Sequence, residues 1–183
     1  MIAYKGFNKG LVCRGYQFTM GENVTIEANC AQNGFHSAEN PLDCITYYSN
    51  INNSVYCIVE VGGDIDEDDR DSKIASTELR IIRQLSVEHL FLHGLAFMVD
   101  HPKREWSSHV SKDSAIAHNG YAVVRGIDPI ARGKKGDILA FAKESQSGPS
   151  IERIALTRVD GKAVLPDIWY DIDFKERQVN GDE

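Results

Sequence analysis

Residues 114–133 read SAIAHNGYAVVRGIDPIARG, and this stretch decides most about the fold. Gly120, Gly126 and Gly133 recur at six or seven residues. Between them small apolar residues alternate with others: Ala115 and Ala117, Ala122 and Val124, then Ala131. A block this short cannot enclose a core of its own. The pattern predicts a solenoid-like stack, each block one short strand and one turn, with small residues filling a narrow interior. Glycine would supply the turns at the corners. Three ordinary short strands with glycine turns are the alternative. Ile138, Ala140 and Ala142 would extend the segment as a final strand.

Upstream, the chain reads as short strands and two helices. Ile2–Phe7, Leu11–Thr19 with a break at Gly15, and Gly34-Phe35-His36 are strand-like. Asn23–Ala28 alternates Val24, Ile26 and Ala28 against polar residues, the period of a half-buried strand. Asn40-Pro41 opens a helix through Tyr48, because Asn caps well and Pro is tolerated at the first helical position. Val55–Val61 is a nearly continuous apolar run bounded by Gly62-Gly63, the pattern of a strand buried on both faces. Ile74–Leu85 reads as a long strand, and Ser86 caps a helix that runs until Pro102. Downstream, Ile151–Val159 and Ile168–Phe174 are strands.

The expected class is α+β: an N-terminal mixed sheet with two helices, then a short β-solenoid-like Gly/Ala repeat segment and C-terminal strands. The expected divisions are an α+β body at 1–105, the β-rich repeat segment at 106–145, and strands at 146–183. Those last strands should pack back on the body, since Trp169 and Tyr170 need apolar neighbours, and end in a short tail.

With 183 residues and a net charge of −7, the chain is acidic. Phosphate backbones need a basic face, so direct nucleic-acid binding is not expected. No apolar run reaches the length of a membrane span, and the N-terminus lacks the apolar core of a signal peptide, so a cytoplasmic setting is expected. The four cysteines form no C-x-x-C pair and read as reduced thiols. Cys30 and His36 are the nearest Cys–His pair, too little for a zinc site. His89 and His93 share a helix face without the H-E-x-x-H pattern. Asp64–Asp71 carries six carboxylates and one arginine. It is read as a solvated loop, with cation binding as the competing reading. No metal site is expected. P-loop and G-x-S-x-G signatures are absent.

Several stretches taken together resemble a family of domains of unknown function common in phage and prophage genomes. They are Tyr4-Lys5-Gly6-Phe7, Cys13-Arg14-Gly15, Gly34-Phe35-His36, Pro41-Leu42-Asp43, Tyr47-Tyr48, Asp71-Ser72-Lys73-Ile74-Ala75 and Trp169-Tyr170. That resemblance implies a phage or prophage protein expressed in a host cell and no assigned activity. Together with the acidic charge, it leads to the expectation of a small accessory protein without a cofactor. Such a protein would act by binding a protein partner, such as a basic host or defence protein, and self-association is left open.

A more distant likeness is to the ADP-ribosyltransferase fold, through the order of Tyr4-Lys5-Gly6, Gly34-Phe35-His36, the helix at 40–48 and the strand Val55–Val61. It implies an alternative: an enzyme using NAD. There Lys5, His36 and Glu78 would be catalytic, and Tyr4 and Gly6 would bind the cofactor. Lys5 stands where that fold carries Arg or His, and His36 where it carries a stacking Tyr.

Overall fold

The computed structural model describes residues 1–28, 33–67 and 72–179. Contacts divide the chain into two compact units, Met1–Leu90 and Phe91–Glu183. The class is α+β, with the helices in the middle of the chain rather than near its start.

Among the described residues the first unit holds seven strands: β1 (Ile2–Asn8), β2 (Val12–Cys13), β3 (Tyr16–Gln17), β4 (Gly21–Val24), β5 (Phe35–Ala38), β6 (Ser54–Glu67) and β7 (Lys73–Leu85). The pairs among these strands are all antiparallel, so the mixed pairing expected here is not found among the described residues of this unit. β6 pairs with β1 along one edge and with β7 along the other, while β5 pairs with both β1 and β7. Four strands therefore close into a ring, β1–β6–β7–β5, which leaves these strands few open edges. Ala3, Phe7, Val59, Val61, Leu79 and Ile81 pack in its core with Phe18 and Phe35.

The apolar run at 55–61 does form a strand, but it does not stop at Gly62-Gly63. β6 runs to Glu67 with a register shift between Gly62 and Ile65. Asn40 accepts a hydrogen bond from Leu42 N at 3.1 Å and starts a 3-10 turn, Pro41–Asp43, which leads into α1 (Cys44–Tyr47). The alternation at 23–28 is read the wrong way round by sequence. Ile26 is 94% exposed and Val24 is 67% exposed, whereas Asn23 is buried. The Asn23 amide bonds Thr19, Gly21 and Leu79 carbonyls, so burying it leaves no donor unpaired.

Helix α2 (Val87–Asp100) starts where Ser86 Oγ accepts from His89 N at 3.2 Å. Among the described residues no helix is long and apolar enough to cross a membrane.

The described residues of the second unit form a mixed six-stranded sheet. β8 (Val110–Ile116), β9 (Tyr121–Arg132) and β10 (Ile138–Glu144) are mutually parallel neighbours with β9 central. β11 (Ile151–Arg158) pairs antiparallel with β10. β12 (Trp169–Asp171) pairs antiparallel with β9, and β13 (Glu176–Arg177) pairs with β12. No solenoid forms here. β9 is one strand of 12 residues that runs straight through Gly126. That glycine marks a close approach rather than a corner: a Cβ there would lie 2.3 Å from Asp113 Oδ1 and 3.1 Å from Asp113 Cα. Asp113 sits at the register shift of β8, with φ of 62°. The small alternating residues do face a core, since Ala115, Ala122, Val124 and Ala131 pack with Phe141 and Tyr170. Arg125 is 2% exposed. Its guanidinium bonds Glu144, Pro102 O and Pro149 O, and lies 4.6 Å from the Trp106 ring centre.

Candidate functional site

β1 and β5 meet at one register pair, Tyr4 with Ala38. Their ladder goes no further, and the backbone groups beyond it need other partners. Lys5 supplies one, because its Nζ donates to the carbonyl of His36. Next to this open seam lies a cavity of about 450 Å³, within the range of small-molecule sites. Tyr4, Lys5, Gly6 and Asn8 line it from β1, and His36, Ser37 and Ala38 from β5. Cys13 and Arg14 reach it from the β2–β3 hairpin, and Lys73 from β7. Asp43, Cys44, Tyr47 and Tyr48 form the remaining wall.

Local sequence explains how these groups are held. The β2–β3 turn has φ of 47° at Arg14 and 80° at Gly15. Positive φ at both central residues suits a tight hairpin. At Arg14 it costs an L-residue about 1 kcal/mol or more, so the arginine is placed at the cavity rim against its own preference. Gly6 lets α1 approach: a Cβ on Gly6 would come within 2.4 Å of Tyr48 Cδ2. The Tyr48 carbonyl is anchored in turn by the Tyr56 hydroxyl. Ser72 Oγ donates to Asp43 Oδ2 at 2.7 Å and ties the 3-10 turn to the start of β7. Lys73 Nζ lies 3.3 Å from Tyr47 Oη and 5.5 Å from the centre of its ring.

Lys5 is the unusual member. Strand alternation puts it on the same face as Ala3 and Phe7, and it is only 3% exposed. Its Nζ sits 5.3 Å from the Phe7 ring centre and 5.2 Å from that of Phe18. Among the described residues no carboxylate forms an ion pair with it. Burial pushes its pKa below the usual lysine value, against weaker opposing contributions from Cys13 and Cys44. His36 is pushed down to about 4, first by burial and then by the positive charges of Lys5, Arg14 and Lys73, so its ring is neutral at neutral pH. Burial pushes the Cys44 thiol up to about 12 and raises the Tyr48 hydroxyl as well. The result is a water-accessible cavity with two cationic side chains, Arg14 and Lys73, a buried amine and one carboxylate, Asp43. Ser37 adds an unmet need: its hydroxyl is buried and has no hydrogen-bond partner among the described residues.

Of the residues singled out in the sequence, Tyr4, Lys5, Gly6 and His36 line this one cavity. Glu78 does not. It is an exposed residue of β7, opposite Val24 of β4 and next to Gly62. Cys30 and residues 68–71 of the acidic stretch lie outside the described residues. His89 is exposed and His93 half-buried. Among the described residues no group of three or more His, Cys, Asp or Glu side chains could hold a metal ion. Cys13, Cys44 and Cys57 are free thiols. Sequence reasoning did not assign Arg14, Ser37, Lys73 or the Tyr47-Tyr48 pair to a site. The signal lay in the stretches that carry the family resemblance, most of which contribute to the cavity lining.

Residues 1–93 match a family described as a domain of unknown function, DUF7666. No curated protein and no solved structure matches the chain.

Proposed function

The chain belongs to the DUF7666 family, and from the cavity in the matched part we propose that it works by binding a small anionic molecule. One observation carries the reading: a chain of net charge −7 lines its cavity with Arg14 and Lys73 against one carboxylate, beside the buried amine of Lys5. In a partly desolvated cleft such groups attract a carboxylate or phosphate more strongly than in bulk water. Tyr4, Tyr47 and Tyr48 offer apolar faces beside them, and the Ser37 hydroxyl offers an unused hydrogen bond.

NAD is the specific form of this reading that the ADP-ribosyltransferase likeness suggests, and the shared cavity of Tyr4, Lys5, Gly6 and His36 favours it as a ligand. The position of Glu78 outside the cavity counts against the transfer chemistry, which needs a carboxylate beside the ribose. Binding of a protein partner belongs to the same class of function and rests on the acidic charge. The phage or prophage origin rests on the resemblance of the quoted stretches alone.

Calorimetric titration with oxalate, inorganic phosphate and NAD at low salt tests the proposal and separates carboxylate from phosphate recognition. At least one of them should bind, and Arg14→Gly or Lys73→Met should weaken it by about tenfold, the loss of one charge-assisted contact. Absence of binding by all three, or equal affinity in both variants, overturns it. For the protein partner, retention from lysate at low salt and release at high salt is expected; no retention at low salt removes that form.

A further inference from the structure

We propose that Lys5 captures a small aldehyde or ketone carrying an anionic group, forming an imine on its Nζ. This rests on the anion-binding reading of the same cavity and adds the reactive part of the ligand. The geometry is that of an amine kept for chemistry. Lys5 is 3% exposed to solvent, yet it lines the cavity of about 450 Å³. It has the aromatic faces of Phe7 and Phe18 on its apolar side and no carboxylate partner among the described residues. A lysine used only as a charge is normally paired or solvated.

The groups that face Lys5 are Cys13 of β2, Arg14 of the hairpin turn, His36 of β5 and Cys44 of α1. None is a carboxylate; Cys13 and Cys44 favour the proton on the amine, each less strongly than burial opposes it, and the His36 carbonyl accepts a hydrogen bond that a neutral amine can also donate. Burial favours the neutral form, the form with a lone pair to donate. Arg14 and Lys73 line the same cavity and would hold the anionic end of the ligand, leaving its carbonyl for Lys5.

The step balances without an oxidant or reductant. The Nζ lone pair forms a bond to the carbonyl carbon, and the carbonyl oxygen takes one amine proton to give a carbinolamine. The carbinolamine then loses its hydroxyl with the second amine proton as water, leaving C=N. The neutral His36 ring lines the same cavity and is a candidate carrier for these protons.

Reductive trapping tests this. The full chain is incubated at neutral pH with glyoxylate or with glyceraldehyde 3-phosphate and cyanoborohydride, and the modified lysines are mapped by peptide mass spectrometry. The two probes separate a carboxylate-bearing from a phosphate-bearing ligand. Lys5 should be modified about tenfold faster than exposed Lys9 and Lys112, because the cavity holds the anionic end of the probe beside its amine. The preference should vanish in urea and fall in Arg14→Gly, whose amine is intact. Oxalate titration in parallel reports the anion site without a carbonyl. If oxalate binds but Lys5 is trapped no faster than the exposed lysines by either probe, the imine is refuted and the anion reading stands. Selective trapping at Lys5 without binding of any anion supports the imine and refutes the anion reading. Neither effect refutes both.

Discussion

Replacing Lys5 by Met should change how stability depends on pH, and the structure sets the sign. In the folded chain the amine is buried between Phe7 and Phe18 with its pKa lowered, while in the unfolded chain it returns to about 10.5. Between those two values the unfolded state binds more protons, so stability rises with pH. The contribution is fully present above the unfolded value and is lost as pH falls through the folded one. Inside the window the slope approaches about 1.4 kcal/mol per pH unit. Met has a similar length and no charge, and it fills an irregular apolar slot well. It also leaves the His36 carbonyl without its donor, a cost of about 1–3 kcal/mol that does not vary with pH. The slope is therefore the quantity to read. Urea unfolding of both proteins, followed by circular dichroism between about pH 7 and about pH 9, gives the difference curve, in which the titration of the thiols common to both proteins cancels. The wild type should gain on Lys5→Met as pH rises. Parallel curves would mean that Lys5 keeps its proton when folded, and the argument for a neutral amine would be refuted.

Gly6→Ala should cost about 1–3 kcal/mol, because the new methyl overlaps the Tyr48 ring, and it should weaken anion binding by moving a cavity wall; an unchanged urea midpoint refutes the packing argument. His36 has a folded pKa of about 4 against 6.5, so its contribution is present above pH 6.5 and fades as pH falls through about 4. His36→Gln should flatten that acid limb, read by thermal melts across the interval. In the second unit, Arg125→Met should cost about 3–5 kcal/mol by leaving Glu144 and two carbonyls without their partner. Arg125→Lys should not restore stability, since a single ammonium cannot reproduce the guanidinium fork; urea unfolding followed by Trp106 and Trp169 fluorescence checks both.

Local chemistry made much of the chain legible before any contact was known. Asn40-Pro41 and Ser86 mark element starts because a side-chain oxygen meets a backbone donor two or three residues away. The apolar run at 55–61 and the alternation at 74–85 are legible as strands because each pattern is local to its own segment. Strand membership also put Tyr4, Lys5, Gly6 and His36 on elements that turned out to share a cavity. What failed depends on partners distant in sequence. Gly126 looks like a corner, yet its role is set by Asp113 of a parallel neighbour. Asn23 looks exposed, yet a carbonyl 56 residues away helps to bury it. Glu78 has the right chemistry for a catalytic carboxylate but lies opposite β4, away from the seam between β1 and β5. Closure of the ring is a tertiary event. It alone takes Lys5 out of water and brings Arg14 and Lys73 to the same cavity, and neither period nor composition records such an encounter.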